Sequence, residues 1–135
     1  MKYLLAIMIL FSLASCTTKA VYLKPAIKGQ LIDSQTGLPI KNKGYVAAFL
    51  KENDKNSVIT DNKGFFYLEA TTDNRFIKTN VYQRYQNIPL EIYIYIDGYE
   101  NKTFDFSKFP KNPKDGGMYK KYEVDVGTIK LRAKK

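Results

Sequence analysis

The chain has 135 residues, 22 basic against 13 acidic side chains for a net charge of +9, a single cysteine and no histidine. That length fits one domain around one core. Without histidine there is no base for a serine or cysteine triad and no histidine-ligated zinc, and one cysteine cannot form an internal disulfide. The positive balance bears on solubility and on attraction to anionic partners, not on fold.

The first segment has the layout of an export signal. Lys2 supplies a charge, residues 3–13 are almost wholly apolar, and Leu13-Ala14-Ser15-Cys16 closes the run with small residues. The apolar stretch is far short of the ~20 residues that cross a bilayer, so residues 1–15 read as a signal peptide and not as a transmembrane helix. Leu-Ala-Ser-Cys resembles the bacterial lipobox. That resemblance implies a mature chain beginning at Cys16, its sulfur carrying a diacylglyceryl group and its new amino terminus acylated. Each buried acyl methylene contributes ~0.8 kcal/mol, and two or more chains anchor a protein stably. In similar lipoproteins an aspartate after the cysteine favours the inner membrane. Thr17 stands there instead, which implies an outer-membrane lipoprotein facing the periplasm or the cell surface.

Residues 16–25 show no sustained period and are expected to form a lipid-anchored tether. From residue 26 to 135 short runs rich in Val, Ile, Tyr and Phe alternate with Gly, Asn, Asp and Pro, the pattern of an all-β sandwich or barrel. Strands are expected over 26–32, 45–50, 57–60, 65–70, 76–82, 90–96, 102–106 and 122–131. In 90–96 the period of two puts Leu90, Ile92, Ile94 and Ile96 on one face, toward the core, and Tyr93 and Tyr95 on the other. In 65–70 both faces are apolar or aromatic, which predicts a central strand covered on both sides. Asp61-Asn62-Lys63-Gly64 predicts a tight hairpin between its flanking strands. Residues 107–117, with Pro110, Pro113 and paired glycines, read as a surface loop.

The turn residues follow a recognisable order: Gly29-x-Leu31-x-Asp33-x-x-Thr36-Gly37-x-Pro39-Ile40, Tyr45-Val46, Thr60-Asp61-x-x-Gly64-x-Phe66-x-Leu68, Gly98-Tyr99, and Asp125-Val126-Gly127-Thr128-Ile129-x-Leu131. This series resembles the carboxypeptidase regulatory-like domain over about residues 28–131. The resemblance implies a seven-stranded transthyretin-like, Ig-like β-sandwich behind the lipoprotein signal. Each matched residue also has a scaffold role: Gly29 and Gly64 suit bulged or positive-φ positions, Asp33 and Asp61 suit turn amides, and Phe66 and Leu68 suit the space between sheets. The fold does not by itself assign a function.

Chemistry finds little support. A transthyretin-like hydroxyisourate hydrolase relies on histidines and a terminal Tyr-Arg-Gly-Ser, and this chain has neither. Asp54 and Asp61 offer oxygen ligands for calcium, but Lys51, Lys55 and Lys63 oppose a cation there. No cofactor is expected, and the protein is read as a non-enzyme. Binding is the remaining class. Tyrosine, enriched at interfaces, gathers in the second half beside lysines, and Tyr93, Tyr95, Lys120 and Lys121 form the candidate binding surface. Export sets nucleic acid aside and leaves an envelope protein, an anionic glycan or a lipid headgroup as partner, besides the membrane held through Cys16. Three functions stay open: a protein-binding adaptor or accessory subunit of an envelope assembly, an inhibitor or immunity-type protein against a toxin or hydrolase, and a glycan or peptidoglycan binder.

Overall fold

The computed structural model describes residues 21–49, 56–73, 88–109 and 121–135. Among them the protein is all-β, without helix, and sandwich-like. Its strands are β1 (Val21–Lys24), β2 (Ala26–Asp33), β3 (Val46–Ala47), β4 (Phe65–Leu68), β5 (Thr71–Asp73), β6 (Glu91–Ile94), β7 (Lys102–Asp105) and β8 (Glu123–Leu131). There are two three-stranded sheets, β4-β2-β8 and β3-β6-β7, and a separate small pair, β1-β5.

Period-two alternation builds the core between the two larger sheets. Ile27, Leu31, Phe66, Leu68, Val124, Val126, Ile129 and Leu131 enter it from the first sheet, and Val46, Ile92, Ile94 and Ile96 from the strands and strand ends of the second. Fully burying each such side chain is worth roughly 1.5–3 kcal/mol. β2 runs antiparallel to β4 and parallel to β8, and the β2–β8 register shifts between Lys28 and Gln30. The extra residue of that bulge is accommodated by Gly127, at φ 68°, whose N–H is accepted by Asp125 Oδ1 at 2.9 Å. Opposite it, a Cβ on Gly29 would stand 2.7 Å from Val126 Cγ2 and 2.9 Å from the Gly127 carbonyl oxygen, so only glycine fits.

Three expectations change. The segment read as tether contributes a strand: Val21–Lys24 pairs with Thr71–Asp73, and Lys24 and Pro25 are fully buried. The ordered domain therefore includes Val21, because Lys24 has polar partners inside that a solvated tether would not need. The Asp61–Gly64 turn forms as its residues dictate, with Asp61 Oδ1 accepting the N–H groups of Lys63 (2.8 Å) and Phe65 (2.9 Å) and Gly64 at φ 80°. It is a corner and not a hairpin. Val58 before it bridges Val46 beside one sheet, while β4 after it pairs with β2 in the other. Finally, β4 lies at the edge of its sheet, and only Phe66 and Leu68 are covered. Among the described residues nothing packs over the outer face of β4, and Phe65 and Tyr67 stay exposed. The strand expected over 76–82 lies outside the described residues.

Candidate functional site: two aromatic sheet faces

The surface singled out by alternation is the outer face of β3-β6-β7. Tyr93 and Tyr95 do point away from Ile92, Ile94 and Ile96, but both are half-buried. Tyr95 meets Tyr45 edge-on, with ring centroids 5.7 Å apart. Tyr93 donates its hydroxyl to Glu91 Oε2 at 3.3 Å, and partial burial raises its pKa above the ordinary tyrosine value. Lys121 is exposed and pairs with Glu69 across 3.4 Å; Lys120 and Cys16 lie outside the described residues. The structure therefore does not bring Lys121 to the tyrosines.

Beside Tyr93 on this face lies Lys24. Only 1% exposed, it leaves β1 and donates its amine to the backbone carbonyls of Ala48 and, at 2.8 Å, of Glu91. The nitrogen sits 4.4 Å from the Phe49 ring centroid and 5.8 Å from that of Tyr93. Desolvation lowers its pKa to about 8 against an opposing pull from Glu91. A neutral amine has two N–H groups, and both are used here; the third N–H of the charged form faces aromatic rings that tolerate a cation. Lys24 thus clips β1 to β6 and to the residue that follows β3.

The outer face of β4-β2-β8 is different. Of the large apolar side chains exposed among the described residues, Ile59 (64%), Phe65 (49%) and Tyr67 (39%) line one open groove of about 1040 Å³. Phe65 and Tyr67 are two apart on β4 and so share its outward face. Beside them β2 presents Lys28 and Gln30, and β8 presents Asp125 and Thr128, with Gly127 leaving the floor low. The polar groups are partly held in place: Lys28 pairs with Glu123 at 2.8 Å, and Gln30 Nε2 donates to the Lys63 carbonyl at 2.9 Å. The hydrogen bond to Glu123 raises the Lys28 pKa. Because the Phe65 carbonyl accepts the Asp61 N–H and the Phe65 N–H donates to Asp61 Oδ1, both away from β2, alternation turns the Tyr67 N–H and C=O outward too.

No protein-family model matches the chain, and no curated protein matches it. The site therefore has to be judged on its own residues. The groove was missed in the sequence because aromatic residues on both faces of 65–68 read as a doubly covered strand. The signal that would have found it is chain length: so few strands make two layers, and one face of such a strand must then be open. Asp61, weighed as a calcium ligand, is occupied by turn amides, and Asp54 lies outside the described residues.

Proposed function

We propose that this protein is a non-catalytic, lipid-anchored adaptor of the cell envelope that docks a partner protein on the groove around Phe65 and Tyr67. The groove itself carries the reading. An apolar centre of Ile59, Phe65 and Tyr67 with a polar rim of Lys28, Gln30, Asp125 and Thr128 is the anatomy of a protein interface, in which aromatic anchors dominate the energy. Contiguous exposed apolar surface on a small domain marks an interaction site. The outward backbone groups of Tyr67 add a main-chain handle, the mode by which an extended segment joins a sheet edge.

The finer fold reading, a transthyretin-like carboxypeptidase regulatory-like domain, belongs to this proposal and draws support from its turns. Gly37, Gly64 and Gly98, each part of the quoted series, all have positive φ. Attachment through Cys16 rests on the lipobox resemblance. With β1 beginning at Val21, residues 16–20 span at most roughly 17 Å, which would hold the domain close to the outer membrane.

The test is photo-cross-linking in intact cells from a probe at Tyr67, with a probe at Tyr95 for comparison, followed by mass spectrometry of the adducts. One dominant protein adduct from Tyr67 and none from Tyr95 is the expected result. A toxin or hydrolase as that adduct would turn the adaptor into an inhibitor, and glycan adducts without protein would overturn the docking reading. In the same cells Cys16→Ser should lose membrane retention; normal retention would contradict the lipid anchor.

A further inference from the structure

The end of the sandwich opposite β1 has a chemistry of its own. β2 leaves Lys24 behind at Ala26 and ends at Asp33, so Ser34 lies roughly 25 Å from the Lys24 clip. There the last residues of β8 and the start of β7 close a pocket of about 300 Å³, lined by Ser34, Glu100, Asn101, Lys102, Lys130 and Arg132. The lining carries three cations, one carboxylate, a hydroxyl and an amide.

The walls are held by backbone. Ser34 N–H donates to the Leu131 carbonyl at 2.8 Å, Glu100 N–H to the Arg132 carbonyl at 2.8 Å, and Lys134 N–H to the Gly98 carbonyl at 2.9 Å. Lys102 is fixed across the two sheets, its Nζ donating to the Lys130 carbonyl at 3.1 Å, which leaves two of its N–H groups to give. Lys130 and Arg132 have no ion-pair partner among the described residues. Arginine offers a planar fork and lysine a point charge, the pair of donors that recognises tetrahedral oxyanions. Glu100 offsets one of the three positive charges, and the lining keeps a formal excess of two that attracts an anion.

We infer that this pocket binds a phosphate group, held between Arg132, Lys130 and Lys102 with Ser34 and Asn101 as neutral donors. The inference is independent of the docking groove, which uses none of these residues. A phosphorylated lipid headgroup and a free phosphate share the chemistry, and the experiment separates them.

Backbone amide shifts of the full chain in neutral-detergent micelles are recorded against inorganic phosphate, and in parallel with micelles doped with phosphatidic acid or with diacylglycerol. The expected result is saturable shifts at Ser34, Asn101 and Arg132 with a phosphate-bearing probe. Lys130→Gln and Arg132→Gln should each weaken binding about tenfold, while Lys41→Gln, an equal loss of exposed charge elsewhere, changes it less than twofold. Saturation by inorganic phosphate assigns the site to small phosphates as well as lipids; saturation by phosphatidic acid alone assigns it to a lipid headgroup. An equal loss in Lys41→Gln, the same shifts with diacylglycerol, or no shift with either phosphate probe overturns the proposal.

Discussion

The two large sheets each place an aromatic pair, two residues apart, on their outer faces, and the fates of the pairs differ. Tyr93 and Tyr95 are half-buried, one beside the Lys24 amine and the other against Tyr45. Phe65 and Tyr67 stand open over a groove. Strand alternation fixed the direction of all four side chains equally. What separates them is their neighbours from elsewhere in the chain: Lys24 of β1 lies beside Tyr93 and Tyr45 meets Tyr95. Pointing outward and being available are thus two properties, and only the first is local.

The most severe way to break the comparison is to disturb the corner that separates the sheets. Gly64 is at φ 80°, and a Cβ there would stand 2.7 Å from the Leu31 carbonyl oxygen and 3.0 Å from Pro39 Cβ. Gly64→Val adds a branched side chain to a position that is both crowded and left-handed. It should destabilise by more than ~4 kcal/mol and abolish cooperative unfolding in denaturant. An unchanged midpoint would mean that the corner does not direct β4.

Next in size is removal of the clip. Lys24→Ala strands the carbonyls of Ala48 and Glu91 without a donor and leaves a cavity where the stem packed, at a cost of about 3–5 kcal/mol. The amine also gives stability a pH dependence. Below about pH 8 it is protonated in the folded and the unfolded chain alike, and the cost of burying the cation is fully present. Between about 8 and 10.5 the folded amine is neutral while the unfolded one still holds its proton. The unfolded state then binds more protons, and stability rises with pH across that window, by on the order of 3 kcal/mol. In Lys24→Met the rise should be absent when the two proteins are unfolded in parallel from pH 7 to 10.5.

These effects mark where the sequence is legible. Local rules carried the core face of β6, the turn amides of Asp33 and Asp61, and the glycines at Gly29 and Gly64, because each depends on neighbours along the chain or on backbone geometry alone. Lys24 was not legible: its partners are 24 and 67 residues away, and a lysine beside a proline reads as solvated tether. The groove failed for a related reason. The apolar outer face of 65–68 was taken to imply cover, while cover depends on how many layers the whole chain can build. The basic pocket gathers Ser34, Lys102 and Arg132 from three distant segments, and nothing in their local context sets them apart from other surface residues.

The comparison is sharpened by truncating one ring from each face. Tyr93→Ser removes a ring that packs beside Lys24 and Glu91, and should cost about 1–3 kcal/mol because half-buried aromatic area is lost. Its chemical denaturation midpoint should fall accordingly, with partner cross-linking from Phe65 unaffected.

Tyr67→Ser should have the smallest effect on stability and the largest on function. Its ring is the more exposed and lies on an edge strand among the described residues, so folding should change by about 1 kcal/mol or less, below the effect of Tyr93→Ser, while the adduct captured from a probe at Phe65 should disappear. A residue that folding does not need but binding does is one whose exposure serves a partner. If Tyr67→Ser destabilised as much as Tyr93→Ser, its ring would have a cover of its own, the two faces would be equivalent, and the groove would lose its claim to be a docking surface.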